Sequence, residues 1–383
     1  MLQVKREEAA NQFKVAPLAS SSLELETVEA FPIRLKIGEN LRGGTFAYTH
    51  YQTVVVRVVV DGVEGWGEAM TRFEPDATAL MVRYLAKGML GMEFERVKEP
   101  WARAWRELRI RGHTRGTDVE ALSGIEIALY DAAARAAGVP LGDLFKRRPL
   151  RRVPAFAGSL FASRGRIEDQ VDEAVSHGLA GAKVKIGFGV RSDLRTLEAV
   201  RRRWPDGMLI GDANGAYDAN GAAKACEAFA GLGLAWFEEP VLSDDFEGYA
   251  RLKGLGVKIG AGESWYVGDF RLPVGKRLVE VVEPSVSRCG GIGVQIDVAR
   301  AAARNGISFS PMVGMNSVLS LAASIHVASV CGTVGVEYNP FPNPLQTELG
   351  DGITRPSKGT IEVPKGPGLG VTIDRAFVKA HSR

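Results

Sequence analysis

Three acidic residues recur through the middle of the chain: Asp212 in LIGDANG, Glu238 in WFEEP and Glu263 in GAGES. One similar interval upstream, AGAKVKIGFG carries Lys183 and Lys185, so the four segments follow one another every 25–27 residues. Each acid closes a short apolar run. Three carboxylates gathered in one place offer oxygen ligands to a hard divalent cation. Two amines beside that cation point to proton abstraction next to a metal-bound carboxylate. Strand side chains alternate, so Lys183 and Lys185 share one face while Ala182, Val184 and Ile186 take the other. Two same-face lysines in an apolar strand are costly unless polar partners await them. Asp212 and Asn214 keep a common phase, which admits both to the same pocket. Taken singly, each acid also suits an ordinary turn or a helix N-terminus. The matching register on three successive segments is what makes coincidence improbable.

Positioning such a set requires strand ends that converge. From Val153 the chain alternates strand and helix, with strands expected at Val153–Ser159, Ala182–Ile186, Met208–Asp212, Leu234–Glu238, Lys258–Gly262, Val279–Glu283, Ile307–Ser310 and Val334–Tyr338. Eight strands at a near-constant interval indicate a closed parallel α/β barrel, whose C-terminal strand ends meet over one pocket. Upstream, Leu25–Ile37 reads as a strand, and the β-branched run Tyr51–Val60 turns through Asp61-Gly62 into Val63–Glu68. Helices are expected near Ala77–Lys87, Glu95–Arg109 and Asp118–Ala137, the last with an apolar face at helical spacing. A meander followed by helices makes a compact α+β domain. The expected division is 1–150 for that domain (1–22 a loosely held tail), 151–360 for the barrel, and 361–383 for a C-terminal segment that packs back on the first domain.

The 383 residues carry 48 Lys plus Arg against 45 Asp plus Glu, a net charge of +3, which gives no reason to invoke nucleic acid or a membrane surface. The short basic clusters Lys146-Arg147-Arg148 and Arg201-Arg202-Arg203 read as solvated surface. Cys226, Cys289 and Cys331 are odd in number and lack metal-type spacing, as expected of reduced thiols. No apolar run approaches a membrane span, and Lys5, Arg6, Glu7 and Glu8 are unlike a signal peptide. A cytoplasmic location is expected.

Lys183-x-Lys185, Asp212-x-Asn214, Trp236-Phe237-Glu238-Glu239-Pro240, Gly262-Glu263 and Cys289-Gly290-Gly291, in that order, resemble the enolase superfamily in its mandelate racemase and muconate lactonizing enzyme branch. The segment Ala121–Phe145 looks like that family's helix before the barrel, and the likeness runs from about residue 24 to 375. KVKIGFGVRSDLR, WFEEPV and GPGLGV look most like acid-sugar dehydratases and cycloisomerases. The resemblance implies an α+β capping domain over a modified TIM barrel, (β/α)7β, binding one Mg2+ per subunit. It implies Asp212, Glu238 and Glu263 as metal ligands, Lys185 as the base and Lys183 beside the substrate carboxylate. An α-proton next to a carboxylate is weakly acidic because its loss leaves a doubly charged ene-diolate, which cationic groups stabilise. A lysine base must be partly neutral, and a neighbouring ammonium, a cation and burial all favour that downward shift. The family's habit also implies a homo-oligomer.

Two positions depart from the pattern. Where family members place a second acid/base group, this chain has Ser285 on the sixth barrel strand and Met312 on the seventh. Neither titrates usefully, so racemisation by two bases is disfavoured. His326 falls on the following helix among apolar neighbours. The loop from Arg42 to Tyr51 is expected to close the pocket, with Tyr48 and His50 as its polar candidates. Asn214 is expected as a polar neighbour, Arg288 as a support for an anionic substrate, and Glu337 as an acid contacting the site. The expected reaction is α-proton abstraction from a hydroxylated carboxylate, a sugar acid, followed by β-elimination. The alternatives are a one-base racemase or epimerase and a metal-binding homologue weakened in turnover.

Overall fold

The computed structural model describes residues 22–146 and 148–382. The expected tail therefore lies outside the described residues except for Ser22, as does Arg147 of the first basic cluster. The chain opens with an antiparallel meander, β1 (Leu23–Arg42), β2 (Ala47–Val60) and β3 (Val63–Met70), joined at its edge by the two-residue β4 (Glu93–Phe94) in the order β3-β2-β1-β4. Asp61, with φ of 46°, and Gly62, with φ of 73°, form the tight turn between β2 and β3. Helices α1 (Pro75–Lys87), α2 (Lys98–Ile110) and α3 (Thr117–Ala136) complete this domain.

Helix α3 rests directly on β3. A Cβ on Gly65 would fall 2.1 Å from the Ala128 carbonyl oxygen, and one on Gly67 would fall 2.2 Å from that of Gly124. Backbone approaches backbone there because the strand positions are glycine and the helix positions facing them are Gly124, Ala128 and Ala132. The outer part of β2, by contrast, buries Val54, Val55, Val56, Val58 and Val60.

A sequential parallel sheet follows, built from β5 (Arg152–Phe161), β6 (Gly181–Lys185), β7 (Met208–Asp212), β8 (Trp236–Glu238), β9 (Ile259–Ala261), β10 (Val281–Val282), β11 (Ser308–Phe309) and β12 (Val336–Tyr338). Helices α4 (Ile167–Ser176), α5 (Val190–Arg203), α6 (Ala219–Phe229), α7 (Phe246–Leu252), α8 (Arg271–Lys276), α9 (Ile292–Arg304) and α10 (Val318–Cys331) separate them. The last strand, β12, pairs with the first, β5, and Val334 N–H donates to the Phe309 carbonyl at 3.0 Å. The sheet thus curls round on itself, a (β/α)7β barrel under an α+β cap. One end of its interior is filled by Phe156, Ile210, Trp236 and Val281. Two residues further along their strands, on the same face, stand Asp212, Glu238 and Glu283.

The rest of the chain contains α11 (Pro344–Thr347), β13 (Gly350–Asp351), β14 (Thr360–Glu362), β15 (Thr372–Ile373) and α12 (Arg375–His381). Strand β14 runs antiparallel to β5. Several contacts tie the final segment to the cap. Leu369 N–H donates to Asp131 at 2.6 Å, Arg135 donates to the Val371 carbonyl at 2.8 Å, and Arg375 pairs with Glu64.

Two carboxylates of the cap also hold helix N-termini of the barrel. Glu68 accepts from Ser317 N–H at 2.9 Å and from Ser320 N–H at 3.2 Å at the start of α10. Glu126 accepts from Ile292 and Gly293 N–H at 2.6 and 2.9 Å at the start of α9. These are favourable places for anions, and the Cys289-Gly290-Gly291 motif serves the second of them. A Cβ on Gly291 would meet a Glu126 carboxylate oxygen at 2.1 Å.

Arg201 corrects the surface reading of its cluster. Half-buried, it donates to the carbonyls of Leu232, Gly233, Pro205 and Gly207, tying the end of α5 to neighbouring turns. His326 is buried, accepts from Gly142 N–H at 3.2 Å and faces the Leu369 carbonyl. Burial lowers its pKa to about 4. Cys226 and Cys289 are buried and Cys331 half-buried, all as free thiols. Among the described residues no helix is long and apolar enough to cross a membrane.

Candidate active site

Barrel register brings the sequence-predicted residues to neighbouring strand ends. Lys185 on β6 stands beside Asp212 on β7, and Asp212 beside Glu238 on β8. Glu263 lies two residues beyond β9. Lys183, Lys185, Asp212, Glu238 and Glu263 are all buried, with at most 6% of any of them exposed.

The two lysines keep different company. Lys183 donates to Glu238 at 2.9 Å, lies 3.6 Å from Asp212 and pairs closely with Glu337. Lys185 pairs with Asp212 and donates to the Asn214 amide oxygen at 2.9 Å. The nitrogen of that amide reaches Glu263 at 3.3 Å. Asn214 and Glu239 both have positive φ, 46° and 39°. This conformation is common enough for Asn but strained for a longer side chain. It breaks the strand direction just where the side chains must turn toward the pocket.

Burial pulls both lysines toward neutrality, yet the acids win. Glu238, Glu337 and Asp212 hold Lys183 well above its usual range, and Asp212 leads in raising Lys185. The downward shift expected of a base is therefore reversed in this arrangement, because each ammonium serves as counter-ion to the carboxylates. Burial and mutual repulsion push Glu238 up to about 8, and hold Glu239 and Glu283 well above the usual carboxylate range. Burial also raises Glu263, but Arg72, Lys185, Lys183 and Arg288 outweigh it and leave its carboxyl below the usual value.

Asp212, Glu238 and Glu263 suit a hard cation in chemical kind, and a buried Glu238 oxygen, Oε2, has no hydrogen-bond partner. Among the described residues no three His, Cys, Asp or Glu side chains stand in a geometry that would hold a metal. The lysines take up oxygens of Asp212 and one of Glu238, while Arg72 and Asn214 reach Glu263. The donor set fits such an ion in composition and strand order, with the ammoniums supplying the positive charge in this arrangement.

Above the lysines opens a cavity of about 350 Å3. Its walls include Phe46 from the loop between β1 and β2, Tyr48 and His50 from the start of β2, Arg72 and Phe73 beyond β3, and Asn214, Glu239, Glu263 and Arg288 from the barrel; the loop expected from Arg42 to Tyr51 is thus only residues 43–46, the rest being paired strand. A small deeper pocket, sharing Tyr48, Arg72, Glu263 and Met315 with it, reaches Lys183, Lys185 and Met312. The loop sits down firmly: a Cβ on Gly44 would lie 2.4 Å from the Gly187 carbonyl oxygen, and Thr45 donates to the Asn214 carbonyl at 3.2 Å. Lys185 Nζ lies 5.9 Å from the centre of the Phe46 ring.

Tyr48, His50, Asn214 and Arg288 thus line the cavity, while Glu337 does not. It lies beneath, where it holds Lys183 and accepts from Val313 N–H at 2.9 Å and from Gly314 N–H. Ser285 and Met312 pair as a bridge between neighbouring strand ends, both buried. Arg72, Glu239 and Glu283 were not singled out from the sequence. Glu283 was discoverable, since VVEP repeats the strand–acid–proline pattern of WFEEP. Arg72 left no such mark, because nothing local says that the end of β3 faces the barrel mouth.

Residues 166–377 match the family model described as enolase C-terminal domain-like. Residues 42–145 match that of the mandelate racemase and muconate lactonizing enzyme N-terminal domain. The chain belongs to the enolase superfamily. Within the superfamily, it is 31% identical over 333 residues to a D-galactarolactone cycloisomerase of Agrobacterium fabrum, covering 82% of this chain and 87% of that one. It is 29% identical to an arabinonate dehydratase of Saccharolobus solfataricus, covering 82% and 86%. A racemase from Streptomyces coelicolor with bound magnesium superposes with a TM-score of 0.84 at 25% identity, over 94% of this chain and 100% of that one. As an enolase-superfamily member with relatives named for elimination and cycloisomerisation, the chain is an enzyme of the dehydratase or isomerase class.

Proposed function

We propose that the protein is a magnesium-dependent lyase or cycloisomerase acting on a hydroxylated carboxylate, a sugar acid. Lys185 takes the α-proton, the electron pair of that C–H bond enters the developing C=C bond, and the β-substituent leaves with its own bonding pair. One Mg2+ per subunit, held by Asp212, Glu238 and Glu263, supplies positive charge to the carboxylate next to the reacting carbon. Lys183 is fixed by Glu238 and Glu337 as a permanent cation of the site. The same lysine returns the proton: Lys185, protonated by the first step, hands it to the departing hydroxyl, which leaves as water from the same face.

The observation that carries this reading is the one-sidedness of the deep pocket. Its lining combines the two lysines with Met312 and Met315, and Ser285 takes the other usual acid/base position. Neither of those two positions carries a group that moves a proton, which favours elimination with a single lysine over two-base racemisation. The test is incubation with a library of acid sugars in D2O with Mg2+. Dehydrated or ring-opened product supports elimination. α-Deuteration without loss of a substituent would replace it with one-base epimerisation, and neither change across the library would leave a binding protein.

We also place the protein in the cytoplasm, supported by its three free thiols. Self-association is supported by Leu80 and Tyr84, one turn apart on α1 and 65% and 51% exposed. Light scattering of the eluting protein reads that directly.

A further inference from the structure

Arg72 is the one guanidinium that the cap contributes to both the outer cavity and the deep pocket. Its side-chain hydrogen bond goes to Tyr48, a neutral phenol, so that its surroundings leave it short of an anion. Among the described residues, Glu263 is the only carboxylate within 4.0 Å of it, at 3.5 Å. That contact is long, and Glu263 Oε1 is shared with the Asn214 amide. Arg288, across Glu263, differs. It is satisfied by the Tyr266 hydroxyl at 2.9 Å, the Glu263 carbonyl at 3.4 Å and the Glu120 carboxylate at 3.4 Å.

A planar guanidinium has five N–H donors, more than Tyr48 and Glu263 engage, and in a half-enclosed cavity it suits a carboxylate, which it can grip with two parallel N–H···O bonds. The reacting carboxylate belongs at the lysine end, and Arg72 also lines the outer cavity, which the lysines do not, so an anion on that side of it is a second one, on the same substrate. The cavity of about 350 Å3 is of the size that takes a small acid whole. Its remaining polar groups, Gln52 and Asn316 among them, are neutral donors and acceptors suited to the hydroxyls between the two ends.

We infer that Arg72 determines specificity by binding the distal carboxylate of a dicarboxylic sugar acid or its lactone, so that the enzyme prefers sugar diacids to the matching monoacids. This rests on the proposed lyase or isomerase reading, and similarity to the named relatives does not choose between the two substrate types.

The experiment pairs diacids with monoacids of matching configuration, galactarate with galactonate and glucarate with gluconate, in the presence of Mg2+. Two quantities are read: kcat/KM, and affinity by calorimetry. Wild-type protein should favour the better diacid by about 10²-fold in kcat/KM. Arg72→Gln should shrink that ratio at least tenfold, chiefly through KM, and Arg72→Lys, which keeps the charge but not the fork, should fall between. A monoacid preference in wild type, or an unchanged ratio in Arg72→Gln, overturns the inference. If no acid is turned over, calorimetry decides. Diacid binding at least tenfold tighter than monoacid, lost in Arg72→Gln, keeps the clamp while removing the lyase. Equal binding of the two removes the clamp itself.

Discussion

Replacing Lys185 by alanine separates catalysis from metal binding and from folding. The side chain is 3% exposed, and its partners are Asp212 and the Asn214 amide. Its loss does not strand a buried charge, because Asp212 keeps Lys183 at 3.6 Å and the Asn214 N–H at 3.0 Å. The penalty should stay well under the roughly 3–5 kcal/mol of a broken buried ion pair, so the variant should fold. Turnover is another matter. A positioned base is worth roughly 10²–10⁴-fold, and in the proposed reaction the same amine also returns the proton. A fall of at least ~10³-fold, about 4 kcal/mol of barrier, is expected.

The assay is exchange of the substrate α-proton in D2O followed by NMR, beside calorimetric titration of Mg2+. Exchange should vanish with turnover, whereas Mg2+ should bind no more weakly, since a positive charge has been removed from beside Asp212. Exchange persisting within tenfold of wild type would place the base elsewhere. Loss of activity in proportion to lost metal affinity would reduce Lys185 to an electrostatic support.

Chelation by EDTA should abolish turnover, and added Mg2+ should restore it and raise Tm; Asp212→Ala should remove that thermal shift, which a melting curve reads without any substrate. Gly44→Val should lift the loop from Gly187, raising KM about tenfold or more with little change in thermal unfolding; unchanged steady-state kinetics would show the loop does not shape the cavity. Glu68→Ala leaves Ser317 and Ser320 N–H groups and the Thr53 hydroxyl without their acceptor, so a loss of about 3 kcal/mol in urea unfolding is expected. His326 is neutral in the fold, its pKa lowered from the usual 6.5 to about 4. The unfolded chain thus binds the extra proton first, and stability present above pH 6.5 is lost as pH falls toward 4. Between pH 7 and 5 the loss is about 2 kcal/mol, and His326→Asn should flatten that limb in urea titrations.

Much of the barrel was legible because strand alternation and chemistry agree at each step. Ile210 and Asp212, Trp236 and Glu238, Val281 and Glu283 each set an apolar filler and then an acid on one inward face. An apolar run ending in a charge therefore marks both the strand and its mouth. Lengths were less legible: Val279–Glu283 reads as a strand, but only Val281–Val282 enters the ladder, since short tilted strands pair over few residues. The cap's contribution was hardest to see. Arg72 reaches Glu263 across 191 positions of sequence, and its placement depends on how Glu68 and Glu126 seat the cap on two helix N-termini. Local pattern carries no trace of such docking. The reversed lysine shift has the same origin, for it depends on how many carboxylates converge on one nitrogen.

That convergence also tells the two lysines apart. Lys183 touches three carboxylates, those of Glu238, Glu337 and Asp212. Giving up its proton would leave three buried anions without their counter-ion, a cost no small acid arriving in the pocket can offset. Lys185 touches one carboxylate, and its other partner is an amide oxygen. A dication among the acids would weaken the single field that holds its proton, and the partner that remains, Asn214, is uncharged in every state. In the proposed reaction, the outer of the two amines on one strand face is therefore the one assigned to lose and regain a proton. The inner one keeps the acids in place while it does so. In Glu337→Gln, Lys183 loses its closest anion but keeps Glu238 and Asp212, so its proton should be held less tightly than in the wild type while Lys185 stays the more titratable of the two; 15N NMR of the lysine side chains reads both, and an unmoved Lys183 would refute the reasoning.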